Sequence, residues 1–207
     1  KLARREAQEK TGDLKVRIVQ SAPGRAHIYR MDQLLAANAR ETMWLTDAYF
    51  VGIPSFLQTL KDASNDDVDV RILVPQSTDI AIIRDTTRST YRPLLEAGVR
   101  VFEWNGPMVH AKTAVFDGRF SRVGSTNLNI ASWLGNFELD AVIEDSAFAA
   151  QMEQLYLRDL SNSTELVLDY RRKVCAPGQP RRPRGGGTRR RSGSAGAVAA
   201  GAMRIGN

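Results

Sequence analysis

His110-Ala111-Lys112-Thr113-Ala114-Val115-Phe116-Asp117-Gly118-Arg119-Phe120-Ser121-Arg122-Val123-Gly124-Ser125-Thr126-Asn127 is the stretch that decides how this chain is read. Two apolar runs, Val109 to Phe116 and Phe120 to Val123, flank Asp117-Gly118, and Asp-Gly between strand-like runs is a strong hairpin signal. Residues two apart on a strand share a face. His110 and Lys112 are therefore expected to project together, with the small Ala114 leaving room beyond them. Asp117 has the other parity and begins the turn, so a structural role is expected for it, bonding turn backbone. Gly124-Ser125-Thr126-Asn127 precedes an expected short helix from Asn127. Its backbone N–H groups, hydroxyls and amide suit a phosphate, and a helix start favours an anion.

These residue types point to phosphate-ester chemistry. Lys112 offers a fixed positive charge to phosphoryl oxygens. A neutral imidazole at His110 is a nucleophile toward phosphorus, and needs a partner on its other ring nitrogen to orient it. Glu138, on an expected strand from Phe137 to Ile143, is the candidate partner. The expected site is thus His110, Lys112 and Glu138 for catalysis, Asp117 for structure, and Lys112, Gly124, Ser125 and Asn127 for phosphate.

Working outward, strands are expected at Leu14 to Gln20, Thr42 to Phe50, Val68 to Val74 and Val99 to Trp104. Helices are expected at Ile28 to Ala39, from Pro54, and from Asp79 to Ala97, the last kinked by Pro93 and ended by Gly98. Ala147 to Leu160 reads as a closing amphipathic helix. Strands alternating with helices predict an α/β fold, a mixed sheet flanked by helices. Residues 1–13 read as a linker or frayed end, 14–170 as the domain, and 171–207, rich in Gly, Pro and Arg, as a disordered tail.

The net charge of +6 comes from that tail. It holds ten Lys and Arg and no acid, leaving nineteen basic against twenty-three acidic residues in 1–170. A mildly acidic domain does not announce nucleic acid as its partner, whereas the tail suits phosphates or anionic lipid. One cysteine, Cys175, and two histidines exclude an intrachain disulfide and an ordinary zinc site. No metal or cofactor is expected. The apolar runs are far short of a membrane helix. The chain begins with Lys1, so the lack of a signal peptide says nothing about its parent protein.

The spacing H-x-K-x4-D-x6-G-S-x-N resembles the signature of the phospholipase D superfamily. Six fixed positions give a chance match on the order of 10⁻⁶ for this length, too rare to dismiss. Asn136-Phe137-Glu138-Leu139 adds the acidic residue that the family has at that spacing. Asp47-Ala48-Tyr49-Phe50-Val51 resembles the PYFVP segment of bacterial cardiolipin synthases, with Asp47 in place of Pro. Val68 to Pro75, Asp79, and Tyr91 to Val101 with Glu103-Trp104 extend the likeness to the C-terminal catalytic half of that family over residues 14–170.

That resemblance implies a phospholipase D-like domain acting as a phosphatidyltransferase on a phospholipid such as phosphatidylglycerol at a bacterial membrane surface. It implies a phosphohistidine intermediate without metal, and a second histidine from another copy of the motif. His27 does not supply one, since Tyr29 stands where the lysine would be. The second copy is expected from an upstream half or from a second chain. Two alternatives stay open: a homodimeric phosphodiesterase or nuclease, and an inactive half that binds anionic lipid. Asp79 is either a site residue by resemblance or a helix cap. Tyr49, Phe50, Trp104, Met108 and Trp133 are expected to pack rather than to meet acyl chains.

Overall fold

The computed structural model describes residues 12–77, 81–168 and 201–205. The chain runs β1 (Lys15–Ser21), α1 (His27–Asn38), β2 (Thr42–Asp47), α2 (Pro54–Asn65), β3 (Asp69–Pro75), α3 (Ala81–Glu96), β4 (Arg100–Trp104), β5 (Lys112–Phe116) and β6 (Phe120–Gly124). A π-helical turn (Ala131–Gly135) follows, then β7 (Glu138–Glu144), α4 (Ser146–Leu160), β8 (Ser163–Leu168) and β9 (Gly201–Ile205). All nine strands join one sheet in the order β1-β7-β6-β5-β2-β3-β4-β8-β9. The pairs β2–β3, β3–β4 and β8–β9 are parallel and the rest antiparallel. The expected mixed sheet flanked by helices is the observed architecture.

Two helical layers cover the sheet. On one face Leu45, Ile72, Val101 and Ala114 pack with Phe56 and Leu60 of α2 and Tyr91 and Leu94 of α3. On the other, Trp44, Leu73 and Phe102 pack with Tyr156 and Leu160 of α4, and the Trp44 and Tyr156 rings stack. α3 runs through Pro93 to Glu96 and stops where Gly98 takes φ +94°. Val99 N–H then bonds the Leu94 carbonyl, as helix-ending glycines allow.

Several boundaries differ from the sequence reading, each for a local reason. β2 ends at Asp47 rather than Phe50 because the Asp47 carboxylate accepts the Tyr49 N–H and turns the chain. β5 begins at Lys112 rather than Val109, since its partner strand has no residue to offer beyond the Asp47–Lys112 pair. The helix expected from Asn127 is the π-helical turn, and side-chain bonds of Asp47 to Leu128 and of Asn129 to Tyr49 and Ser132 lead into it. β8 was not anticipated. Within the expected tail, Gly201–Ile205 pairs with β8 and Met203 packs against the core. This short return to apolar residues after the Arg-rich run explains the pairing. Asp79, Cys175 and the rest of 171–207 lie outside the described residues.

Candidate active site

The hairpin carries the site at its open end. Asp117 and Gly118 take φ +51° and +56°, and Arg119 N–H closes the turn on the Phe116 carbonyl. That is the twist a two-residue hairpin loop requires. The Asp117 carboxylate reaches out of the turn and accepts the N–H groups of Arg40, Glu41 and Thr42 at 2.8–3.1 Å. Asp117 thus fastens the hairpin to the entry of β2, at the opposite end of β5 from Lys112. It bonds the backbone of another segment rather than its own turn.

His110 lies in the extended segment just before β5 and is exposed to solvent. The shared strand face expected from parity does not apply to it. Lys112 is what joins the pair: it is 5% exposed, and its Nζ sits 2.9 Å from His110 Nδ1 while donating to the His110 carbonyl at 2.7 Å. Burial pulls the Lys112 pKa down, against the opposing charges of Asp47 and Glu138. Tyr49 meets the His110 ring edge-on at 5.7 Å, with Lys112 Nζ 5.9 Å from its centroid. Tyr49 was expected in the core and instead borders the site; Phe50 and Trp133 are buried as expected.

Glu138 does not bond His110. Its carboxylate accepts Ser125 Oγ–H at 2.5 Å and the Asn136 amide at 3.2 Å, while Lys112 occupies Nδ1 of the ring. The Gly124–Asn127 segment also differs from the expected anion cradle. Asp140 Oδ1 accepts Ser125 N–H, Thr126 N–H and Thr126 Oγ–H, and Asp47 accepts Leu128 N–H at 2.7 Å. Those amides are therefore committed to carboxylates. Gly124 owes its identity to the same carboxylate, since a Cβ there would lie 1.9 Å from Asp140 Oδ1. The Asn127 side-chain amide donates to Ser132 Oγ at 3.3 Å, and its Oδ1 is buried without a hydrogen-bond partner.

Beneath this surface is a charged core that sequence reasoning missed. Arg122 is fully buried, donates to both oxygens of Asp32, and lies 3.5 Å from Asp140 Oδ2. Trp133 Nε1 also donates to Asp32, which ties the π-helical turn to α1. Burial raises the Asp32 pKa despite Arg122. Two signals were available: Asp32 interrupts the apolar Ile28–Ala36 stripe, and Asp140 shares strand parity with Glu138.

A family model described as "Cardiolipin synthase, PLD-like domain" matches residues 33–160, a range that holds His110, Lys112, Glu138 and Asp140. The chain belongs to that family. Cardiolipin synthase A of Proteus mirabilis is 34% identical over 154 residues, which are 73% of this chain and 32% of that protein. The chain thus spans about a third of the length of the curated relatives it matches. Among solved structures, the phospholipase D family member Nuc from Salmonella typhimurium shares the fold with a TM-score of 0.65 at 17% identity, covering 74% of this chain and 98% of Nuc. Phosphatidylserine synthase from Haemophilus influenzae gives 0.61 at 16% identity, covering 73% of this chain and 40% of that one. The domain is of the cardiolipin synthase type within the phospholipase D superfamily, a family of phosphatidyltransferases and phosphodiesterases. Among the described residues, no helix is long and apolar enough to cross a membrane.

Proposed function

We propose that this chain is one catalytic half of a cardiolipin synthase-type phosphatidyltransferase. The observation that carries the reading is the exposed His110 ring held against the buried Lys112 ammonium within a domain of that family.

In the resting geometry a charged Lys112 donates to Nδ1, so a neutral ring carries its proton on Nε2. A phosphodiester oxygen arriving at Lys112 draws the ammonium away, and the ring proton is then free to move to Nδ1. Nε2 attacks phosphorus, and the bond from phosphorus to the leaving glycerol oxygen breaks. A second histidine, from an upstream half or a second chain, protonates that oxygen. The free hydroxyl of another phosphatidylglycerol then attacks the phosphatidyl-histidine, loses its proton to the second histidine, and releases Nε2. Lys112 and the Asn127 amide hold the phosphoryl oxygens; Glu138 and Asp140 keep the Gly124–Asn127 segment in shape. The work takes place at a membrane surface, where the substrate resides.

The test supplies phosphatidylglycerol vesicles carrying ³²P in the lipid. Cardiolipin and free glycerol are expected, with acid-labile label trapped on the chain and absent from His110→Ala. Solution mass shows whether a second chain provides the missing histidine; where the chain is monomeric, activity is expected only with an upstream half added. Turnover by His110→Ala would overturn the assignment.

A further inference from the structure

The structure gives Asp47 a place no surface residue has. It is fully buried at the last position of β2. Its register partner across the sheet is Lys112. One oxygen accepts Tyr49 N–H at 2.9 Å and the other accepts Leu128 N–H at 2.7 Å. Tyr49 borders the His110 ring, and Leu128 follows Asn127 directly. A single carboxylate therefore bonds two of the segments that carry the site and lies in register with Lys112 of the third.

We propose that Asp47 is a positioning residue for this site: its charge holds the Lys112 ammonium against His110, and its two accepted N–H bonds hold Tyr49 and the Asn127 segment around them. The proposal rests on His110 and Lys112 being the reacting pair.

The charged groups around Asp47 are few and can be named. Lys112 faces it from β5 and Arg122 from β6. Arg122 is itself flanked by Asp32 of α1 and Asp140 of β7, and Glu138, at the start of β7, acts on Lys112 from the other side. Arg122 is already held by Asp32 at 2.8 Å and approached by Asp140, so Lys112 is the cation whose placement depends on Asp47. Burial pushes the Asp47 carboxyl up to about 7, with Lys112 and Arg122 opposing the rise. Its charge therefore switches on within the range where the enzyme would work.

The full chain, labelled with ¹³C at aspartate Cγ and lysine Cε, is titrated by NMR from pH 5 to 9. The Asp47 signal is expected to move with a midpoint near 7, and the Lys112 Cε signal to inflect at that same midpoint. A Lys112 signal flat through the Asp47 midpoint overturns the proposal, and this arm needs neither turnover nor a variant. The second arm compares kcat and KM for Asp47→Asn and Asp47→Glu. In Asp47→Asn, kcat is expected to fall by up to about a hundredfold, as misplacement of a reacting group does, with KM little changed. Its pH profile loses the limb near 7, and Asp47→Glu restores part of the rate. Unchanged kcat in Asp47→Asn overturns the proposal. If the unmodified chain fails to turn over phosphatidylglycerol even with its second half, the functional reading falls, while the Lys112 signal still decides the claim about Asp47.

Discussion

Gly124 and Asp140 fit each other at one atom's width. Gly124→Ala places a methyl group against the Asp140 carboxylate and within 2.7 Å of its backbone. Overpacking of this kind costs about 1–3 kcal/mol, and we expect the unfolding free energy from urea titration to fall by that amount along with weakened turnover. Asp117 is the contrasting case. Asp117→Ala strips the acceptor from three N–H groups and should destabilise by about 1–3 kcal/mol, while the folded fraction keeps its rate, because Asp117 lies at the far end of β5. His110→Ala reverses that pattern: turnover is lost, and stability changes by no more than about 0.5 kcal/mol, since the ring is exposed. The His110–Lys112 pair was legible from residue types at fixed spacing, because residues two apart in the chain are kept close by the backbone alone. The roles of Asp32, Asp47 and Asp140 were not, because a lone acid in an apolar run reads the same whether it is capped, paired or charged.

Asp47 also ties stability to pH at this scale. Its folded-state pKa is raised from 3.8 to about 7 by burial, so the fold favours its neutral form. The stabilisation is fully present below about pH 4, is lost as pH climbs toward 7, and is flat above that. Urea titrations at pH 5 and 8 should therefore show Asp47→Asn gaining on the unmodified chain at the higher pH, by an amount on the order of a few kcal/mol. Equal differences at both pH values would contradict the raised pKa.

At the scale of elements, the alternation of strands and helices from β1 to β4 was readable because each helix keeps an apolar stripe and each strand a compact apolar run. The failures occur where tertiary partners set the boundary. β5 stops pairing where β2 stops, and a side chain, not propensity, ended β2. β8 and β9 escaped notice because Ser163–Leu168 mixes polar and apolar residues, and because the strand that completes its pairing comes some thirty residues later along the chain. Met203→Ser tests that pairing. Met203 is half-buried against the core, so we expect a loss of about 1 kcal/mol, together with faster amide exchange along β8.

Over the whole molecule, charge is divided unevenly. Nineteen bases face twenty-three acids in residues 1–170, and ten bases face none beyond them. Binding to phosphatidylglycerol vesicles should therefore depend on the arginines from Arg181 to Arg191 and fall steeply as salt rises past about 0.1 M, where the screening length nears 10 Å. Changing those arginines to glutamine should reduce sedimentation with vesicles and leave turnover of detergent-dispersed lipid unaltered. Salt-insensitive binding would place the attachment elsewhere.

The Arg122–Asp32 bond joins positions 90 apart in the chain, and the Asp47–Leu128 bond positions 81 apart. Neither can close until the chain has been made through β6, and the second waits for the segment that follows it. A nascent chain on the ribosome therefore carries His110 and Lys112 for many residues without the frame that sets them against each other. The frame around the pair thus arrives after the pair itself.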